Sequence, residues 1–222
     1  MSGGRLSPLQ RRLVVLLAAV TPPWTLTGGA ALAGFYSGHR GTRDLDLRWP
    51  DLRDLKEASR AVREQLQAAD LSGDVLQSSP TFERLRVTDG TEIVLIDLVA
   101  DPVASIEPPV ELRLDGALVR VDTLHEILVN KFCALLGRME LRDLEDAREL
   151  LNAGGDFERM LTDAPRKDGG FSPMMLAWIL KGMPAARLAE AADWEPAECE
   201  AIERFKLALI DRLATAAAPE QG

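Results

Sequence analysis

Leu26-Thr27-Gly28-Gly29-Ala30 and, after a polar loop, Arg43-Asp44-Leu45-Asp46-Leu47 decide the reading of this chain. The first stretch has a strand-like entry, Trp24 to Thr27, and then a paired glycine that opens an Ala- and Leu-rich helix from Gly29 to Tyr36. The second alternates aspartate with leucine. Residues i and i+2 of a strand share a face, so Asp44 and Asp46 aim both carboxylates the same way. Like charges that close repel unless a cation lies between them or one takes up a proton. Hard divalent ions such as Mg²⁺ prefer such oxygen ligands. Glycines at a helix start let phosphate oxygens reach backbone N–H groups. Together these features indicate a metal–nucleotide site.

Working outward, Ser37-Gly38-His39-Arg40-Gly41-Thr42-Arg43 is a basic loop between the two stretches. Arg40 and Arg43 place positive charge beside a triphosphate site, and the Thr42 hydroxyl suits support of the same loop. His39 suits solvent contact, substrate orientation or a role as a base. Upstream, Ser7-Pro8 is a good cap and first-turn pair for a helix from Pro8 to about Ala19, ended by Thr21-Pro22-Pro23. Arg11-Arg12 and the apolar run after it have the outline of a signal peptide. A core helix of a cytoplasmic protein is the preferred reading, because removal would strip the glycine turn of its packing. The run is too short to span a bilayer.

Downstream, Pro50-Asp51 starts an amphipathic helix to about Ala69, with Leu55, Ala58, Val62 and Leu66 at helical spacing. Phe82–Thr88 alternates in the manner of a strand. Asp89-Gly90 signals a hairpin into Thr91–Val99, and Asp115-Gly116 joins a second hairpin, Val110–Leu114 with Ala117–Val121. Asp97 is the one charge in Ile93–Val99. It lies either at an exposed strand end, salt-bridged, or beside Asp44 and Asp46 as a third carboxylate, since a buried charge needs a partner. Three carboxylates on neighbouring strands suit a two-cation phosphoryl-transfer site. Beyond Val121 the pattern is helical: 124–136, 141–151, 157–162, 173–181, 185–192 and 196–216.

Composition sets bounds. With 222 residues, 46% of them hydrophobic, and a net charge of -9, the chain has room for one or two domains and is not coated in basic surface for nucleic acid. A local basic patch stays compatible with that sum. Cys133 and Cys199 have no zinc-ligand spacing and read as buried reduced thiols. The tryptophans at 24, 49, 178 and 194 are too dispersed for a base-stacking platform and read as core or interface.

Gly28-Gly29, the helix and loop, Asp44-Leu45-Asp46 and a later strand carrying Asp97 resemble the DNA polymerase β-type nucleotidyltransferase superfamily. The version from Leu26 to Asp46 is similar to the AbiEii/AbiGii nucleotidyltransferase toxins, although the spacing from Gly29 to Asp44 is longer than in many members of the superfamily. A second stretch carries the same resemblance: Lys131-Phe-Cys-Ala-Leu-Leu-Gly-Arg138, then Arg142-Asp143-Leu-Glu-Asp146. It spans roughly Leu26 to Leu151.

Lys131 and Arg138 are two helical turns apart. Lys131 interrupts an apolar pattern, either as a snorkelling surface lysine or as a point charge for a nucleotide phosphate. Asp143 and Asp146 share a helix face, either solvated and paired with Arg142 and Arg148 or functional. The family needs an aspartate here, and the sequence leaves open which of the two corresponds.

The resemblance implies an α+β protein: a nucleotidyltransferase-like mixed β-sheet with flanking helices over 1–122, then an all-helical domain, 123–222, closing the active-site cleft. It implies transfer of a nucleoside monophosphate from an NTP to a hydroxyl acceptor, with two Mg²⁺ ions when NTP is bound. Asp44, Asp46 and Asp97 are the expected metal ligands. Together with Lys131 and Asp146 they form the expected catalytic set, and Lys131 is expected across a cleft from Asp44 and Asp46. Gly28, Gly29, Arg40, Thr42, Arg43, Lys131, Arg138 and Asp143 are expected to bind nucleotide. RNA, such as the tRNA 3′ end, is the acceptor so implied, with an antitoxin as possible partner. The alternatives are transfer to a small molecule such as an antibiotic, separated by a basic groove against a closed acidic pocket, and a non-catalytic nucleotide-binding module.

Overall fold

A computed structural model describes residues 6–36, 41–50 and 55–218. The chain divides into two compact units, Met1–Leu124 and His125–Gly222.

The first unit is built on alternation. It runs α1 (Pro8–Leu17), β1 (Thr25–Thr27), α2 (Gly28–Phe35), β2 (Asp44–Trp49), α3 (Lys56–Ala68), β3 (Ser72–Ser78), β4 (Phe82–Thr88), β5 (Ile93–Ala100), β6 (Val110–Leu114) and β7 (Ala117–Val121). The strands form one mixed sheet in the order β3-β4-β5-β2-β1-β7-β6. β2 runs parallel to β5, and β1 runs antiparallel to β2 and parallel to β7. Leu45, Leu47, Leu85, Val87, Val94, Ile96 and Leu98 are buried. Their registers place them on one face. α3 covers it: Ser59 donates to the Glu83 carboxylate, and a Cβ on Gly73 would lie 3.3 Å from Leu66 and 3.8 Å from Val87. α1 packs against α3, β5 and β7.

Local chemistry fixes the ends. Ser7 and Gln10 form a reciprocal capping box with Pro8 in the first turn of α1. Trp24 donates to the Leu17 carbonyl at 2.7 Å and Trp49 to the Pro22 carbonyl at 2.8 Å, so these two indoles lie in the core. Trp178, by contrast, is 70% exposed. Asp115 and Gly116 both have positive φ, 49° and 90°, as a two-residue hairpin turn with the right-handed sheet twist requires.

Two elements depart from the sequence expectation. β3 has no apolar alternation, and all seven of its residues are exposed. It forms as the sheet edge by pairing with β4. α6 continues past Thr162 to Lys167 with Pro165 inside its last turn, where the proline ring leaves the Leu161 carbonyl without its i→i+4 donor.

The second unit is helical: α4 (Leu124–Arg138, its first residue belonging to the first unit), α5 (Leu141–Asn152), α6 (Phe157–Lys167), α7 (Pro173–Lys181), α8 (Ala185–Ala191) and α9 (Pro196–Ala216). α9 packs against α5, α7 and α8. Phe132 meets Phe157 edge-to-face at 6.1 Å, and the Arg212 guanidinium lies 3.8 Å over the Phe157 ring. Both cysteines are free. Burial pushes the Cys133 thiol up to about 11, which keeps it protonated and unreactive at neutral pH. No helix among the described residues is long and apolar enough to cross a membrane.

Candidate active site

The sheet face opposite the apolar one carries the charges. Arg84 pairs in register with Asp97, Asp97 with Asp46, and Asp46 with Thr27. This is one row across β4, β5, β2 and β1, and residues directly opposite one another point the same way. Asp44, two residues before Asp46, shares the face. Both are half-buried and alternate with the fully buried Leu45 and Leu47.

β1 ends where the helix begins. Gly28, the first residue of α2, has φ +63°. A Cβ built on it would lie 2.7 Å from Asp46 Oδ2, so the carboxylate rests against bare backbone. Thr27 at the N-cap makes no side-chain cap hydrogen bond. The first N–H groups of α2 are thus not capped by that side chain, which suits an anionic ligand. Gly29 follows, half-buried. We predict that Gly28→Ala lowers stability by about 1–2 kcal/mol through the left-handed backbone. It should lower activity by more than that, because the new methyl displaces the Asp46 carboxylate. Denaturation and transfer assays on the same preparation separate the two effects. An unchanged rate would detach Asp46 from the chemistry.

Thr42 donates from Oγ1 to the Asp44 carbonyl at 3.2 Å, and its own carbonyl accepts from Gln10 Nε2 at 2.8 Å. It therefore braces the loop that leads into β2. Arg43 is exposed. His39 and Arg40 lie outside the described residues.

Asp97 is buried within β5, so it does not sit at an exposed strand end. Its two oxygens take the fork of Arg84: Nε to Oδ1 at 2.7 Å and Nη2 to Oδ2 at 2.6 Å. Arg84 is the residue that the sequence reading missed. The hydrogen bond to Asp97, with the charges of Asp97, Asp44 and Asp46, raises the guanidinium above its ordinary value against the cost of burial. Among the described residues no group of three His, Cys, Asp or Glu side chains is gathered as a metal cage. The donor set of Asp44 and Asp46, hard oxygens on one strand face, fits a divalent cation such as Mg²⁺. Asp97 in this arrangement is committed to Arg84.

The second motif forms one cluster inside the helical unit. Lys131 is buried, with Nζ 2.8 Å from Asp143 Oδ1 and 2.6 Å from Asp146 Oδ2. Arg138 bonds both oxygens of Asp143, at 2.7 and 3.1 Å. Both aspartates are wholly buried. The snorkelling lysine and the solvated acidic face are therefore excluded. Arg142 pairs with Glu140, and Arg148 with Glu149 and Glu198.

The family model described as nucleotidyl transferase AbiEii toxin, type IV TA system, matches residues 12–214. The chain belongs to the AbiEii nucleotidyltransferase toxin family. It is a nucleotidyltransferase, with the mixed sheet and helical C-terminal region expected of that fold. Solved structures similar to this AbiEii-family chain include MenT4, a nucleotidyltransferase toxin of Mycobacterium tuberculosis, with TM-score 0.57 and 15% identity over 91% of this chain and 82% of that one. A second is a nucleotidyltransferase described as putative from H. pylori, with TM-score 0.54 and 17% identity over 93% and 94%. A third is an antigenic nucleotidyltransferase-like protein of Paracoccidioides brasiliensis, with TM-score 0.51 and 19% identity over 83% and 93%. At these identities the likeness concerns the fold. No curated protein matches the AbiEii-family chain.

Proposed function

We propose that this toxin-family enzyme transfers a nucleoside monophosphate from an NTP to a hydroxyl of RNA, the tRNA 3′ end being the leading acceptor, with Mg²⁺ held by Asp44 and Asp46. The observation that carries this reading is the Asp46 carboxylate set against the bare backbone of Gly28 at the start of α2, with Asp44 on the same face of β2. Bound there, Mg²⁺ would neutralise phosphate charge and polarise the reacting phosphoryl group.

The chain's own residues do the rest. Gly28 and Gly29 receive phosphate oxygens on backbone N–H groups. Thr42 braces the loop into β2, and Arg40 and Arg43 supply positive charge for the triphosphate. Asp97 completes the carboxylate set and takes the proton of the attacking hydroxyl when Arg84 releases it. Lys131 has three donors, and two go to Asp143 and Asp146. The third serves a nucleotide phosphate, while Arg138 and the two aspartates hold the ammonium in position. A cognate antitoxin is the expected protein partner, and the cytoplasm is the expected compartment.

The test is incubation of the full chain with each labelled NTP, total RNA and Mg²⁺. Label should enter RNA with one NTP preferred, and EDTA should stop it. Label that stays out of RNA with every NTP, or transfer that survives EDTA, overturns the reading.

A further inference from the structure

We propose that Arg84 is the resident counter-cation of the carboxylate site: in the free protein it holds Asp97 away from metal, so that full metal binding awaits the nucleotide. The inference rests on the assignment of Asp44 and Asp46 as metal ligands. Three observations carry it. First, Arg84, Asp97 and Asp46 form one in-register row, so guanidinium and metal compete for the same carboxylate. Second, the fork engages both oxygens of Asp97 and sets a positive charge directly against them, which opposes a cation at the same carboxylate. Third, the two partners differ in freedom: the Arg84 side chain is 35% exposed and that of Asp97 only 8%. The guanidinium can leave, whereas the carboxylate stays in the strand.

Arg84 also has a neighbouring surface to rest on, since its guanidinium lies 5.8 Å from the centre of the Phe82 ring. Charge gives the direction of the exchange. The guanidinium brings a single positive charge to Asp97, and a dication outbids it once the triphosphate supplies further ligands. The guanidinium so released faces a polyanion, for which its planar fork is well suited. A structural salt bridge alone is a weaker account, because an ion pair of this kind is poor evidence of stabilisation.

The experiment is Mn²⁺ binding to the full chain without nucleotide, followed by loss of the free-ion electron paramagnetic resonance signal. Arg84→Gln should bind Mn²⁺ at least about tenfold more tightly than wild type, and its melting temperature should rise more on adding Mn²⁺. Adding Asp97→Asn should remove the gain. Should Arg84→Gln not fold, Arg84→Lys serves, since it keeps the charge and loses the fork; a several-fold gain supports the proposal and no gain overturns it. Equal or weaker binding by Arg84→Gln, with Asp44→Asn/Asp46→Asn losing the ion, overturns the counter-cation role and leaves the metal assignment intact. A gain that survives Asp97→Asn overturns it as well, because net charge alone then explains the change. Binding that persists in Asp44→Asn/Asp46→Asn overturns both.

Discussion

Replacing Asp44 and Asp46 together by asparagine should abolish nucleotidyl transfer and leave the fold standing. The two side chains share one face of β2 and are half-buried, alternating with leucines that do the packing. Asparagine keeps the shape and removes the charge, so stability should move by no more than about 1 kcal/mol. Catalysis responds differently. Losing several kcal/mol of electrostatic stabilisation at the phosphoryl group is a rate loss of about a thousandfold or more. The comparison is a transfer assay at saturating NTP alongside a urea melt. Activity within tenfold of wild type would remove these residues from the site. A collapsed melt would make them structural.

The second large effect is on stability. Lys131→Ala should destabilise the helical unit by about 3–5 kcal/mol, as expected when one partner of a buried ion pair is removed. The ammonium lies between Asp143 and Asp146, which are both fully buried. Arg138 still reaches Asp143, but two enclosed carboxylates then share too little positive charge. The double variant Lys131→Ala/Asp146→Asn should recover part of the loss. Acid gives an independent check. Burial alone would raise the Asp143 carboxyl, yet the hydrogen bond from Arg138 and the charge and hydrogen bond of Lys131 outweigh it and hold the group below its ordinary value. A carboxylate lowered by folding stabilises at pH values above its unfolded pKa, near 3.9, and that contribution fades as pH falls through the folded value. In Lys131→Ala the acid-side loss should begin at higher pH. Urea midpoints at neutral and acid pH measure both effects, and a neutral-pH loss under about 1 kcal/mol would show that the cluster is not under electrostatic tension.

Much of the first unit was legible in sequence, for reasons that can be named. Period-two alternation put Asp44 and Asp46 on one side of β2, and the Asp-Gly turns located both hairpins. Arg84 was legible in principle. The β4–β5 turn pairs Thr88 with Ile93, and counting back along the hairpin sets Arg84 opposite Asp97. It went unread because an arginine on the polar side of an amphipathic strand looks like an ordinary solvent-facing charge. β3 carried no signal, because a strand exposed along its whole length needs no apolar alternation. Lys131 was ambiguous for a different reason. Its partners arrive on α5 after a turn at Met139, whose φ is +41°, and spacing along α4 alone does not report them. The parallel pairing of β1 with β7 joins distant segments, and no local pattern encodes such a pairing.

That last pairing governs where the chain can be cut. β1 has neighbours on both sides only because the final hairpin of the unit closes over it, with Leu26 opposite Val121 and the Asp122 N–H bonded to the Leu26 carbonyl at 3.0 Å. A fragment ended before that hairpin would present β1 as a raw border, open to pairing with another chain just where the glycine turn begins. A minimal catalytic-fold fragment therefore has to run through Leu124, and a reporter or tag spliced between Ala100 and Val110 separates the site from the strands that shield it.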